Sequence, residues 1–386
     1  MKIDKTTIII DAIVIVFTFA FSWVINSGFF NPYNFSGEEK SKDFELSDLY
    51  ASVGNLSAVH QMSKDIVVVS SDRCSRKQIA AIIESADLMG AKVIGLDHYF
   101  DAKQDGDERL ISAIEECENV VLPIIVQRNM ENGIFEMKDS SYFYNIIDDG
   151  NFGVINLAGN SPGSVIREFS PSFKTYNDTL DNFASAVVKC YAPEKYNLLL
   201  ERDHELERIH YHATDYNIIQ WSEIITSDSV PKPMFDSKKE IEGKIVLIGH
   251  MHNDNDIHLT PISDETPGIL IHAATINTIL NSNYVKTSST FFNYFIAIII
   301  TVLCVSIMSY AKKHMNNIGN FIIRITQLTL ILLMFAIGTK IYLSYDTYVD
   351  FSLSLLMIGL SVLFFDIIYG VYGIAVLVYN KYNEKK

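Results

Sequence analysis

The sequence predicts a three-layer α/β domain with a mostly parallel sheet, carried by four transmembrane α-helices, one N-terminal and three C-terminal. Three observations predict it. Short β-rich apolar runs alternate with amphipathic helical segments from residue 65 to residue 280. One long apolar run precedes that region and three follow it. No Pro/Gly-rich linker, repeat or low-complexity tract divides 65–289. The chain is therefore read as an N-terminal transmembrane anchor (1–30), an extracytoplasmic domain (31–289), and three transmembrane helices with a short cytoplasmic tail (290–386).

The first apolar run extends from Thr6 to about Phe29, behind Lys2 and Lys5. It is long enough to span a bilayer, which takes roughly 20 residues. It ends in SWVINSGFF with no good cleavage site, so it reads as an uncleaved anchor. Residues 31–64 are polar, with GEEKSKDFELSD at 37–48, and read as a stalk or first helix.

DIVVVSSD (65–72) is a short strand run. SRKQIAAIIESADLMG (75–90) places Ile79, Ile82, Ile83 and Leu88 at near-helical spacing, and Gly90 is a helix stop. AKVIGLD (91–97) is a second strand, DERLISAIEE (107–116) a second helix, and NVVLPIIV (119–126) a third strand. FGVINLAG (152–159) and KIVLIGH (244–250) are further strands, and HAATINTIL (272–280) is a helix. Strands alternating with helices at this spacing imply βαβ crossovers and a sheet covered on both faces. Between them, 179–191 reads as helix, 195–212 carries helical patterning, and 215–223 reads as strand.

The last three apolar runs are centred on Phe291–Tyr310, Phe321–Leu343 and Phe351–Tyr379. Lysines 2 and 5, 312 and 313, and 381, 385 and 386 flank one set of ends, whereas the 344–350 connection carries only Asp346 and Asp350. Cationic loops favour the cytoplasm. Both termini are therefore expected inside and residues 31–289 outside, as in a multi-pass protein of the bacterial inner (cytoplasmic) membrane. Asp11, Arg324 and Asp366 fall inside these runs, all toward the cytoplasmic side. Charges at that depth pair, line a polar cavity or snorkel. One reading is a cluster, with Arg324 between the two carboxylates, that couples external state to a partner. The plainer reading is a static lock or independent interfacial anchors.

The formal net charge of −15 excludes bulk electrostatic binding to nucleic acid. Cys74, Cys117 and Cys190 lie in the large domain and Cys304 in an apolar run, with no CxxC or Cys/His spacing.

Several stretches resemble one family. DIVVVSSD with GAKVIGLDHYF, the DERLISAI helix, the G-x-x-N of GNFGVINLAGN with Arg167 downstream, and above all EGKIVLIG…DIHLTP…PGILIHAATIN are similar to the second type of CHASE domain. That family is the extracellular sensory module of bacterial cyclases and kinases. The resemblance implies a non-enzymatic sensor. No cyclase, kinase or ATPase sequence follows the last apolar run, so the expected output runs through a separate signalling protein.

The densest polar constellation is GHMHNDNDIH (249–258), just after a strand. His250, His252, Asp254 and His258 are the right side chains for zinc or another first-row metal. An open α/β sheet places its ligand crevice beyond the carboxyl ends of its strands. Asp97 and His98 end another strand, so Asp97, His98, Asp256, His258 and Thr260 are the ligand-binding candidates. A loop held by Asp and Thr bonds to backbone is the plainer alternative. Gly249 and Gly268 read as structural turn glycines, as expected if φ is positive there. The acidic loop of Asp101, Asp105, Asp107 and Glu108 lacks the calcium-loop pattern. No phosphate loop or nucleophile elbow is present.

Two functions fit. The first is a receptor for a small ligand or a periplasmic protein, with no cofactor and with homo-oligomers compatible. The second is an extracytoplasmic metal-dependent hydrolase on the 250–258 cluster. A scaffold in an envelope complex is a third option.

Overall fold

The computed structural model describes residues 5–26 and 45–384, apart from 130, 132, 138–141, 148–149, 159–163, 177, 227–231 and 236. Of the expected stalk or first helix at 31–64, residues 31–44 lie outside the described residues. In chain order the principal elements begin with α1 (Lys5–Asn26), α2 (Leu46–Ser57), β1 (Gln61–Ser70), α3 (Arg76–Leu88) and β2 (Val93–Asp97). Then come α4 (Asp107–Glu116), β3 (Val120–Ile124), β4 (Asn151–Val154), α5 (Phe183–Tyr191), α6 (Pro193–Glu201), β5 (Thr214–Gln220) and β6 (Ile245–Gly249). The last are α7 (Gly268–Asn281), α8 (Thr290–His314), α9 (Asn316–Tyr345) and α10 (Ser352–Asn383). By their contacts these residues form two units, Ala51–Val285 and a second made of the terminal helices with Glu45–Tyr50.

The first unit is a six-stranded parallel sheet in the order β5-β1-β6-β2-β3-β4. Its central strands are buried without interruption, as in Ile245–Gly249 and Val120–Ile124. That continuous apolar character follows from helices on both faces. On one face Ile79, Ile82 and Ile83 of α3 and Leu110 of α4 pack on Val67, Val69, Leu96 and Ile248. On the other, Phe183 and Val187 of α5 and Ile269, Ile271 and Ile276 of α7 pack on Val68, Val93 and Leu247. The predicted three-layer architecture is what forms.

Local chemistry sets the boundaries. Ser75 caps α3 and shares a capping box with Gln78. Gly90 has φ of 87°, the left-handed geometry that ends a helix at low cost, as the sequence predicted. Helical patterning over 195–212 does not persist, because α6 stops at Glu201 and Asp203 takes a left-handed φ of 51°. Glu207 then accepts from Arg202, and its partner strand is Glu168–Phe169. The 179–191 helix begins later than expected, at Phe183, because Thr179–Asp181 pairs with Ser172–Lys174 and Asn182 caps α5.

Among the described residues of the second unit four helices are long and apolar enough to cross a membrane: Lys5–Ile25, Thr290–His314, Ile318–Tyr345 and Ser352–Asn383. The fully buried Tyr50 lies against Phe335, Tyr342 and Tyr348, with ring centroids 5.6, 6.2 and 6.3 Å away. Gly338 leaves the room for its hydroxyl, since a Cβ there would sit 2.3 Å from Tyr50 Oη. A two-residue parallel pairing joins Lys286–Thr287 to Thr347–Tyr348.

The intramembrane charges divide into two groups. Arg324 Nη2 lies 3.4 Å from Asp366 Oδ2. Asp11 instead accepts from Ser309 Oγ and, at 2.8 Å, from Tyr369 Oη. Two hydroxyl donors satisfy this carboxyl without the guanidinium, so the geometry is a pair beside a hydroxyl site. Removing one partner of an ion pair in an apolar setting leaves an uncompensated charge. Arg324→Gln is therefore expected to lower folded yield in detergent more than Arg324→Gln combined with Asp366→Asn. Additive losses in the double-mutant cycle would contradict the pairing.

Candidate functional site

Parallel register brings three strand ends together. Ser70 of β1 pairs with Gly249 of β6, and Gly249 with Asp97 of β2. The residues just beyond, Ser71, Asp72, His98 and His250, therefore share the carboxyl edge of the sheet. This is the place where open α/β sheets present their crevice.

Ser71 Oγ lies 2.6 Å from His98 Nε2 and donates to the Gly249 carbonyl at 3.0 Å. The hydroxyl has one proton, so His98 Nε2–H is the donor in the first contact. The pair therefore has the proton direction opposite to a Ser–His nucleophile. Ser71 is also fully buried. The His98 ring meets His250 edge-on at 4.4 Å and stacks near Phe100. Burial, and next the His250 ring, lower the His98 pKa to about 3.

Asp72 organises the loop after β6. It accepts from Met251 N at 3.0 Å, His252 N at 3.1 Å, His252 Nδ1 at 2.8 Å and Ser70 Oγ at 2.9 Å. Burial opposes its ionisation, but these bonds, led by His252, hold its carboxyl far below the usual range. His250 Nδ1 is 3.5 Å from the same carboxylate.

A second group lies at the start of α7. Asp256 accepts from His258 Nε2 at 3.1 Å. Its carboxylate sits against Gly268, where an added Cβ would be 2.4 Å from Oδ1. His272, one turn into α7, is 4% exposed and meets Phe183 edge-on at 5.0 Å. Burial lowers its pKa to about 4, with Asp256 opposing and His258 reinforcing. Asp97 responds in the opposite sense, pushed up to about 8 by burial and then by the Asp256 charge.

The candidates named from sequence thus separate. Asp97, Asp256 and His258 come to one place, whereas His98 turns to Ser71 and His250. Thr260 is buried in a hairpin, donating to Ser263 O at 3.2 Å and meeting Thr266 Oγ1 at 3.0 Å. Of the metal set, His250 and His252 turn to Asp72, His258 turns to Asp256, and Asp254 is exposed. Among the described residues no three His, Cys, Asp or Glu side chains converge as ligands. The acidic loop is also spoken for, with Asp107 paired to Arg76 and Asp105 to Lys77. Gly249 and Gly268 are not among the positive-φ glycines, so the left-handed backbone expected at them does not occur. Close approach requires them instead, as a Cβ on Gly249 would lie 2.6 Å from Ile269 Cδ1. The three thiols of this domain are free.

Ser71, Asp72 and His272 were not singled out from sequence. The signal for the first two was present, because SSD closes a strand run just as HYF and HMH follow two others.

The three shifted groups predict a pH profile. Between about 4 and 6.5 the unfolded chain binds a proton at His98 and at His272 that the folded chain does not, and Asp97 does the reverse. Two groups against one makes stability rise with pH there. From 6.5 to about 8 Asp97 alone of these three acts, and its contribution falls as pH rises. These groups place the optimum near pH 6.5. Thermal unfolding of the purified chain across pH 4–9 checks it. Asp97→Asn is expected to remove the descending limb, and an unchanged limb would contradict the assignment.

The fold defines a class, a doubly covered parallel α/β domain borne on membrane helices. The CHASE2 domain family matches residues 57–310, and the chain belongs to that family. CHASE2 domains are extracellular sensor modules, and this is what the sequence resemblance implied. No curated protein and no solved structure matches the chain.

Proposed function

We propose that this chain is a multi-pass receptor of the bacterial cytoplasmic membrane, with residues 31–289 outside and both termini inside. The carboxyl edge of its sheet binds a small ligand or a periplasmic protein. The helices after it pass the change to a separate signalling protein. The observation that carries this reading is the convergence of Asp97, Asp256, His258 and His272 on an edge lying within a sensor-family domain. Lysines at three helix ends support the orientation. Such a receptor needs two states that bind the ligand differently. The buried His272 ring and the partly exposed Asp97 carboxyl at the edge, held neutral by their surroundings, are groups whose charge a bound ligand can change.

A photoreactive residue at Lys313 in native membranes tests the signalling step. The expected result is an adduct with one other protein whose yield changes in Asp256→Asn. Adducts with copies of the same chain alone, unchanged by that substitution, would overturn signalling in trans.

A further inference from the structure

We propose that the carboxyl edge takes a small protonated amine, its ammonium group held by Asp97 and Asp256 with the His272 ring as a third acceptor. This rests on the edge being a ligand site, and it names the ligand's chemistry.

The geometry comes from three elements. Asp97 closes β2 beside Gly249, where an added Cβ would be 3.2 Å from Asp97 Cβ and 2.6 Å from Ile269 Cδ1. Asp256 lies on the neighbouring Gly268, the first residue of α7. The two carboxyl groups therefore flank the same Gly249–Ile269 contact. Residues four apart share a helix face, so His272 follows Gly268 on that side. Both carboxyl residues are partly exposed, which leaves a route in from solvent.

Unmet hydrogen-bonding capacity points to an occupant. His272 is 4% exposed and makes no hydrogen bond among the described residues. The Asp97 side chain makes none either. The His272 ring is buried and the Asp97 carboxyl beside it opens to solvent, so a donor entering at this edge meets two acceptors that no side chain occupies. With the Asp256 carboxylate beside it, a cationic donor is favoured over an anion. A metal ion needs several ligands converging at short distance, and no three converge among the described residues. An ammonium group carries three N–H donors, matching two carboxyls and one imidazole nitrogen. Burial, and next the Asp256 charge, keep Asp97 protonated, and a cation between the two carboxyls opposes that preference.

The test is titration calorimetry on the full chain in detergent at pH 7. The probes are methylammonium, n-butylammonium and putrescine, with butanol, butyrate and zinc chloride as comparisons. Each is run in two buffers of different ionisation enthalpy. At least one amine is expected to bind and to release close to one proton from Asp97, given a carboxyl titrating near 8. Asp256→Asn should weaken it at least tenfold, and Asp97→Asn should abolish the proton release. Thermal unfolding shows that each variant is folded. Butanol or butyrate binding that Asp256→Asn weakens, with no amine binding, would overturn the amine and leave the edge as a ligand site. Zinc binding in place of amines, or no binding by any probe, would also overturn it.

Discussion

Arg76→Ala is expected to destabilise the sheet domain by about 3–5 kcal/mol, the usual cost of breaking a buried ion pair from one side. Arg76 is 6% exposed and Asp107 3% exposed, and they pair directly. Arg76 opens α3 and Asp107 opens α4, so the pair ties two helices on one face of the sheet. The guanidinium also donates to Ala102 O at 2.6 Å and lies 4.9 Å from the Phe100 ring centroid. Gln104 N donates to the other Asp107 oxygen at 2.8 Å. Truncating the arginine leaves a buried carboxylate without its countercharge. Arg76→Met with Asp107→Leu should recover much of the loss, because an apolar pair carries no such charge. Denaturant titration of the three proteins checks this. A single variant no less stable than the double would contradict it.

Gly153→Ala is the second large effect, with a cost of about 1–3 kcal/mol expected from overpacking and more for valine. A Cβ there would sit 2.5 Å from Phe183 Cα and 3.0 Å from Phe183 N. These are backbone atoms at the start of α5, held by the Asn182 cap and by the bridge from Asn182 to Val154. They cannot turn aside as a side chain can. Gly268 differs, because the atoms nearest its added Cβ would be those of the Asp256 carboxylate, a side chain that can turn aside. That substitution should disturb the edge more than the stability. A Gly153→Ala protein that unfolds like the parent would refute the close approach.

The same stretch shows how much was legible. G-x-x-N in the sequence is Gly153 to Asn156. Gly153 admits α5, and Asn156 accepts from Val126 N at 2.9 Å and donates to Val126 O at 3.0 Å. A strand end is thereby tied to its neighbour by a side chain acting as backbone. The motif was readable, but its mechanism needed the fold. Helix α4 matches the predicted 107–116 because its acidic start and apolar spacing agree. The 195–212 helix failed because local turns and long-range pairing at Glu207 outweigh propensity. At the edge, Asp97, Asp256 and His258 were found because each closes or follows a strand run. His272 was missed because it sits within an apolar helix, where a lone histidine reads as core. The grouping of Ser71, Asp72 and His250 depends on β1 and β6 being neighbours. Those strands are some 180 residues apart, and no local pattern encodes that pairing.

The central claim is an external sensor domain on a membrane anchor. Its most direct test is side-specific labelling with a membrane-impermeant maleimide in bacterial spheroplasts. The four free cysteines would first be replaced by serine or alanine. Single cysteines would then go to the exposed positions Asp254 and Lys313. The account predicts that Asp254→Cys labels in intact spheroplasts and that Lys313→Cys labels only after permeabilisation. Protection of Asp254→Cys until the membrane is opened would place the sheet domain inside and contradict the account.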